Sequence, residues 1–182
     1  MTTYIAFLRG VNLGKRQVKS EQLKTIFTDA GFANVQTVIA SGNVIFEAKE
    51  KDEEKLKAKL EKVMKDALGF EVITFIRSEA ELETILNENP FKDAEKGQGY
   101  ISFLSGVPGE AAAKEIEGRS SDTEILKIKG RELYMLFHVR MSDSVFFKKP
   151  DYEKVLGVLA TNRNLNTPVK ILAKMKRPSA GL

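Results

Sequence analysis

Tyr4-Ile-Ala-Phe-Leu-Arg-Gly-Val-Asn-Leu-Gly-Lys-Arg-Gln-Val-Lys-Ser20 combines an apolar run, two glycines and four cations within seventeen residues. The five residues from Tyr4 are apolar, which predicts a strand that is buried on both faces. Arg9 ends this run, and Gly10 and Gly14 bracket a loop before a helix that we expect to begin near Ser20. This order is typical of an anion site, because the first N–H groups of a helix are unpaired and the helix dipole is positive there.

The apolar periodicity downstream predicts an α+β fold. In the first half we expect a strand at 4–8, a helix at 20–30, strands at 35–40 and 44–48, a helix at 52–68 and a strand at 72–76. A turn at Ser41-Gly42-Asn43 separates the second and third strands, Asp52 is placed to cap the second helix, and Gly69 is placed to end it. The resulting order, β-α-β-β-α-β, is the split ferredoxin-like unit.

The second half predicts a related α+β order. Ser78 and Glu81 have the spacing of a capping box, and Gly130-Arg131 has the composition of a two-residue hairpin turn. We expect a helix from 78, a strand at 100–104, a helix at 111–116, strands at 124–129 and 132–138, a helix at 151–159 and a last helix capped by Thr167. The expected organisation is a ferredoxin-like part at 1–77 and a second α+β part at 78–182 with C-terminal helices, packed as one compact unit.

The composition and the charge distribution of the chain exclude several kinds of functional site. The chain has 182 residues and no cysteine, which excludes disulfides, thiolate metal sites and a cysteine nucleophile. No apolar run is long enough to span a bilayer and no signal peptide is recognisable, so we expect a cytoplasmic protein without a membrane partner. All 25 acidic residues lie within 21–153, so both ends of the chain are basic. If the two ends meet, they form a positive face, although basic ends are also common on solvated surfaces.

The loop from Arg9 to Lys19 matches neither the P-loop nor the dinucleotide-binding pattern. The simplest interpretation of its glycines is a turn between a strand and a helix. Ala160-Thr-Asn-Arg-Asn-Leu-Asn-Thr167 is more unusual, because three asparagines alternate around Arg163 just before a predicted helix start. These side chains could define a tight loop by bonding to backbone, or they could present amides and a guanidinium to a phosphate.

These motifs together resemble the bacterial "domain of unknown function 1697" family. The resemblance is carried by Phe7-Leu-Arg-Gly-Val-Asn-Leu-Gly14, Ile39-Ala-Ser-Gly-Asn-Val-Ile-Phe46, Asn89-Pro-Phe91, and Ala160-Thr-Asn-Arg-Asn-Leu-Asn-Thr167 with Lys170. It implies an α+β fold with ferredoxin-like parts and implies no activity. One departure is Leu165, which stands where the family often has tryptophan.

From the coincidence of motif and charge we expect one site for an anionic group. Its predicted residues are Arg9, Gly10, Asn12, Gly14, Lys15, Ser41, Gly42, Asn43, Thr161, Arg163, Asn164, Asn166, Thr167 and Lys170. The preferred ligand is a phosphate-containing or nucleotide-like small molecule, without a metal ion or a cofactor. No nucleophile or general base stands out, so the sequence does not determine whether the protein is an enzyme.

Two other functions remain open at this point. Ferredoxin-like sheets bind RNA, and the net charge is positive at +4, yet the predicted third strand lacks the aromatic pattern with which such sheets stack bases. Alternatively, the motifs only fix loops in a structural or interaction module, because Gly, Asn and Thr are turn formers. His138, the only histidine, is interpreted as structural.

Overall fold

The computed structural model of the chain describes residues 1–14, 16–39, 42–92 and 98–176. Its first half forms β1 (Thr2–Arg9), α1 (Ser20–Asp29), β2 (Ala33–Thr37), β3 (Asn43–Ala48), α2 (Glu53–Leu68), β4 (Ile73–Ser78) and α3 (Glu79–Asn87). Its second half forms β5 (Gly99–Leu104), α4 (Glu110–Glu117), β6 (Glu124–Lys129), β7 (Glu132–Phe137), a 3-10 turn (Met141–Asp143), α5 (Val145–Lys148), α6 (Tyr152–Leu156), β8 (Ala160–Asn164) and α7 (Asn166–Met175).

The strands form two four-stranded sheets with the same topology. The first sheet has the order β2-β3-β1-β4 and the second has the order β6-β7-β5-β8. All neighbouring strands in both sheets are antiparallel. The first and third strands of each half are therefore adjacent, as the split ferredoxin-like unit requires. The predicted fold class, an α+β chain of two related halves, is confirmed.

The chain divides into two compact units. The first unit comprises Met1–Glu83 and the chain from Lys170 onward, and the second comprises Thr84–Val169. In the first unit, alternate residues of β1 point to the layer formed by α1 and α2, and Tyr4, Ala6 and Leu8 are buried there. Phe27 and Leu60 cover them from the two helices. This face contains the aromatic cluster of Tyr4, Phe27, Phe32 and Phe46, whose ring centroids lie 4.9–6.0 Å apart.

The opposite face of the first sheet is buried as well. Ile5 and Phe7 of β1 have no exposed surface. Next to them on β4 lie Phe75 and Arg77, of which Arg77 is only 1% exposed and pairs across the sheet with Ile5. A strand that is buried on both faces explains the uninterrupted apolar run from Tyr4 to Leu8.

The second unit has its own core on one face of its sheet. Leu104, Leu133 and Met135 of the central strands pack against helices α4, α5 and α6. Glu124 of β6 fixes the start of α5, because its carboxylate accepts the N–H groups of Val145 at 2.6 Å and Phe146 at 3.0 Å. This buried carboxylate thereby satisfies helix N–H groups that would otherwise be unpaired.

Several local predictions are confirmed in detail. Asp52 caps α2 by accepting the Lys55 N–H at 3.2 Å, and Gly69 ends α2 in the left-handed region at φ +76°. Ser78 and Glu81 form the reciprocal hydrogen bonds of a capping box. Gly130 in the β6–β7 hairpin has a φ of +56°. These are the positions where a short-range rule alone determines the backbone.

The C-terminal part differs from the sequence-based expectation. The sequence predicts a loop from Ala160, but Ala160–Asn164 forms the edge strand β8, antiparallel to β5. The last helix begins at Asn166, so Thr167 lies in its first turn instead of capping it. The helix expected at 151–159 is shorter, since Gly157 at φ +67° ends α6 after Leu156. With β8 in place, the second half also has the β-α-β-β-α-β order.

Among the helices in the described part of the chain, none combines the length and the apolar composition that a membrane span requires.

Candidate functional site

Two of the predicted motifs contact each other at one end of the first sheet. The Leu8 N–H donates to the Gly42 carbonyl at 2.7 Å, and Phe7 pairs with Asn43 across β1 and β3. Gly42 has a φ of +78°, and a Cβ added there would lie 2.7 Å from Val11 Cγ2. The turn before β3 therefore packs directly on the loop after β1, which only glycine permits.

Asn12 shapes the loop between β1 and α1, residues 10–19, which we call the glycine loop. Its Oδ1 accepts the Val18 N–H at 3.0 Å, which closes the loop six residues later, and the Arg16 N–H donates to the Leu13 carbonyl at 3.1 Å. Val11 and Val18 are buried, whereas Asn12, Leu13 and Gly14 are exposed. Two buried valines thus anchor the loop while its tip faces solvent.

Asn43 holds the neighbouring turn together. The side chain is buried, and its Nδ2 donates to the carbonyls of Val38 at 3.1 Å and Ile39 at 3.3 Å. Ile39 has a φ of +51°, which is rare for a β-branched residue, and its side chain is 47% exposed. The amide of Asn43 bonds to the two carbonyls that flank this strained position.

Cations surround the glycine loop. Arg9 is half-buried at the end of β1, and Lys19 is exposed at the residue preceding α1. The Arg16 guanidinium carbon lies 4.4 Å from the centroid of the Phe70 ring, in a cation–π contact. Lys15 and Ser41, which were also predicted for this site, lie outside the described residues.

The third motif occupies a strand of the second unit. Arg163 Nη1 donates to Thr161 Oγ1 at 2.9 Å and to the Asn162 carbonyl at 2.8 Å. Burial lowers the pKa of Arg163 to about 10, because desolvation penalises the charged guanidinium. An anion bound beside this group would oppose that shift.

The asparagines of this motif link β8 to α7. Asn164 Oδ1 accepts the Asn166 N–H at 3.0 Å, which is the local bond of a turn. Leu165 donates its N–H to the Gly99 carbonyl at 2.9 Å. Thr167 is half-buried and Lys170 is exposed on α7. One part of the predicted ligand site stays a prediction: that residues of the second unit share it with Lys170 and the loop residues of the first unit. The residues of the second unit are Thr161, Arg163, Asn164, Asn166 and Thr167.

Sequence reasoning missed two polar features inside the protein. The first is Arg77, because the predicted strand 72–76 ends two residues before β4 does. The second is a pair on neighbouring strands, Ser102 and Asn162, whose Oγ and Oδ1 atoms are buried without a hydrogen-bond partner among the described residues. A serine within the apolar run 100–104 was the available signal for this pair.

The described residues contain no group of three or more histidine, aspartate or glutamate side chains arranged to hold a metal ion. Residues 1–20 contain no carboxylate, and the first acid after them is Glu21 in the first turn of α1. The loop residues at this end of the first unit supply mainly cationic and amide groups, and groups of these kinds bind anions.

Comparison with known proteins identifies the family. The family model described as "Protein of unknown function (DUF1697)" matches residues 1–134. The chain belongs to this family. The match includes the Arg9–Gly14 loop and the Gly42 turn, so the DUF1697 model covers the two motifs that contact each other. The resemblance inferred from the motifs is confirmed.

One solved structure has the same fold as this chain. The structure of a conserved bacterial protein from Streptococcus pneumoniae superposes with a TM-score of 0.78 at 24% sequence identity, covering 97% of this chain and 99% of that one. At this identity the likeness concerns the fold. No curated protein is significantly similar in sequence to the chain.

Proposed function

We propose that the first unit binds a small phosphate-containing or nucleotide-like anion. The site is the basic loop surface, which we define as Arg9, Gly10, Asn12, Gly14, Arg16, Lys19 and Gly42. The contact between Leu8 and Gly42 carries this proposal, because it joins the cationic loop and the second motif into one surface.

Charge supports an anionic ligand at the basic loop surface. Residues 1–20 contain four cations and no acid, so the cations outnumber Glu21, the one acid in the first turn of α1. Lys19 and Arg16 are exposed, which leaves their charged groups accessible. Guanidinium and ammonium groups form short, charge-assisted hydrogen bonds to phosphate oxygens.

The start of α1 adds backbone donors to the same surface. Lys19 precedes the helix, and its side chain makes no capping hydrogen bond to any described residue. The N–H groups of the first helical turn have no intrahelical acceptor, and the helix dipole favours negative charge beside them. An anion near Lys19 would gain from both.

Nucleic-acid binding is the second candidate, and the buried sheets weigh against its usual form. RNA-binding ferredoxin-like sheets stack bases on exposed aromatic side chains of their central strands. Here Phe7, Phe46, Phe103 and Phe137 of the central strands are all buried. A small anion at the loop surface needs no exposed sheet face and is therefore favoured.

A thermal-shift series on the full chain tests the proposal. The panel contains inorganic phosphate, nucleotides, sugar phosphates and a short single-stranded RNA, each at low and at high salt. We expect stabilisation by one small anion at both salt concentrations, since a ligand at 100 times its Kd adds about 2.7 kcal/mol of stability.

A matched pair of variants locates the effect. Lys19→Gln removes a charge at the start of α1, and Lys24→Gln removes another exposed charge further along the same helix. The ligand-induced shift should fall in Lys19→Gln and persist in Lys24→Gln. Stabilisation by RNA alone, fading with salt, would replace the proposal with an electrostatic nucleic-acid face. No shift with any compound would favour a structural or interaction module.

A further inference from the structure

A cleft of about 430 Å³ lies at the other end of strand β3, away from the Gly42 turn. It is lined by the end of β3, by the turn that follows α1 at Gly31, and by the first two turns of α2. β3 has six residues, so at about 3.3 Å per residue its two ends are separated by roughly 16 Å. The cleft is therefore distinct from the basic loop surface.

The floor of the cleft is apolar and firmly packed. It is formed by Phe32, Ala48 and Leu56, all of which are buried. The Phe32 ring packs edge-on against Phe46 with 4.9 Å between centroids and lies 6.0 Å from the ring of Phe27. A ring held by two others presents a fixed surface to a ligand, and such preorganisation favours binding.

The rim of the cleft is predominantly cationic. Lys55 and Lys59 lie four residues apart on α2 and therefore project from the same side of the helix. The Lys59 ammonium lies 4.8 Å from the centroid of the Phe32 ring, so positive charge stands directly beside the apolar floor. Lys49, at the end of β3, supplies a third ammonium group.

The acids near the lysines of the cleft differ in how far they compete with an anion. Asp52, just outside the lining, lies 3.7 Å from the Lys55 ammonium, but the pair is exposed and therefore weak, so Lys55 stays available to a ligand. Glu50 Oε1 accepts the N–H groups of Lys51 and Asp52, both at 2.9 Å, so this carboxylate is bound to its own backbone. The Glu50 carbonyl also accepts the Tyr4 hydroxyl at 3.2 Å, which ties the segment to β1. Glu47 is the other acid of the lining, against three lysines.

We propose that this cleft binds a small anion that carries a planar apolar group, such as an aromatic phosphate or carboxylate. The planar group lies on the floor next to Phe32, and the anionic group meets Lys55 and Lys59. The volume is within the range of about 300–1,000 Å³ that is typical of small-molecule sites. The proposal does not depend on the basic loop surface.

Amide NMR titrations of the full chain with three probes test this inference. 1-Naphthyl phosphate carries both features, inorganic phosphate carries only the charge, and 1-naphthol carries only the planar group. We expect saturable shifts of the Gly31, Ala48 and Leu56 amides with 1-naphthyl phosphate, and an affinity at least tenfold higher than with either partial probe. Shifts confined to Gly10, Asn12 and Gly42 would instead report the basic loop surface and overturn the cleft proposal.

Variants of α2 provide the matched comparison. Lys59→Gln should weaken 1-naphthyl phosphate binding by up to about fivefold, the upper end for one exposed charge contact. Lys62→Gln, at an exposed lysine of the same helix that does not line the cleft, should leave the affinity unchanged. Equal affinity in both variants, or no saturable shift at the cleft amides, would overturn the proposal. If inorganic phosphate binds as tightly as 1-naphthyl phosphate, the proposal that the planar group contributes to binding is wrong.

Discussion

The two units carry an arginine at the same place in the same topology. Arg77 on β4 pairs with Ile5 of β1, and Arg163 on β8 pairs with Ile101 of β5. Each guanidinium donates from Nη1 to the carbonyl of the preceding residue, at 2.7 Å from Arg77 and at 2.8 Å from Arg163. An arginine bonded to its own strand is thus a shared feature of both fourth strands.

The difference between the two arginines is their burial and their sequence context. Arg77 is 1% exposed and lies outside every motif, whereas Arg163 is only half-buried and lies inside one. Since an arginine outside the motifs adopts the same geometry, the geometry of Arg163 does not by itself indicate a ligand. The first unit keeps its motifs in loops, which is why its loop surface carries the functional proposal.

Truncating each arginine in turn is the strongest test of this comparison. Arg77→Ala should reduce the free energy of unfolding by on the order of 3 to 4 kcal/mol, because it empties a fully buried site and leaves acceptors such as the Ile76 carbonyl unpaired. Arg163→Ala should cost less, about 2 kcal/mol, because part of its site is already accessible to water. Urea unfolding of the variants and the wild type measures both values.

Methionine variants serve as controls, because methionine keeps most of the side-chain volume and removes the charge. Arg77→Met should recover part of the loss by filling the site with apolar atoms. An equal or larger loss at Arg163 would contradict the ranking by burial. A loss below about 0.5 kcal/mol at Arg163 would be typical of an exposed position and would favour a ligand-binding role for its side chain.

The second comparison concerns two glycines in turns. Gly42→Ala should destabilise the protein by about 3 kcal/mol, since a left-handed alanine costs about 1–2 kcal/mol and its Cβ also clashes with Val11. Gly130 has a φ of +56°, but the nearest atom to an added Cβ is Glu132 Oε2 at 3.8 Å. Gly130→Ala should therefore lower the free energy of unfolding only by the cost of a left-handed alanine, about 1 kcal/mol.

Thermal unfolding of the two alanine variants, side by side with the wild type, gives this difference directly. The difference isolates the close approach of the Gly42 turn to the glycine loop, because both positions share the unfavourable φ. Similar losses in the two variants would show that the loop moves away at little cost. The basic loop surface would then be less rigid than its contacts suggest.

The fold was predictable from the sequence wherever a short-range rule acts. Apolar periodicity placed β1, α1 and α2, and the caps at Asp52, Ser78 and Gly69 follow from local hydrogen bonding and backbone freedom. β8 was missed because Thr161-Asn162-Arg163-Asn164 is polar and has little intrinsic strand preference. Its strand conformation comes from pairing with β5, which is a tertiary contact that no local pattern reveals.

The candidate site was predictable in part for a topological reason. In a split ferredoxin-like unit the first and third strands are antiparallel neighbours, so the end of β1 and the start of β3 must meet. That rule alone brings Arg9 and Asn43 to one end of the sheet. The left-handed conformation of Ile39 had no sequence signal, because isoleucine is disfavoured there. Likewise, the cleft beside Phe32 depends on how α2 packs, which periodicity does not specify.

The smallest expected effect concerns surface ion pairs, in which the two units again differ. In the second unit Arg119 binds Asp151 through two hydrogen bonds, at 2.7 and 3.2 Å, and thereby joins the segment just after α4 to the start of α6. In the first unit Lys62 and Asp66 pair at 2.7 Å within one helix. We expect Asp151→Asn to lower the melting temperature slightly more than Asp66→Asn, because only the former pair connects separate elements.

The pH dependence of the melting temperature of Asp151→Asn tests whether the charge of Asp151 is responsible. The hydrogen bond from Arg119 holds the pKa of Asp151 below its ordinary value of 3.8. A carboxyl whose pKa is lower in the folded state stabilises the protein above its unfolded pKa, and this contribution disappears as the pH falls through the folded pKa. Melting temperatures of Asp151→Asn and wild type should therefore differ at pH 7 and converge as the pH is lowered below 3.8. A difference that persists undiminished at the lowest pH would mean that the side chain of Asp151 stabilises α6 by its shape, without its charge.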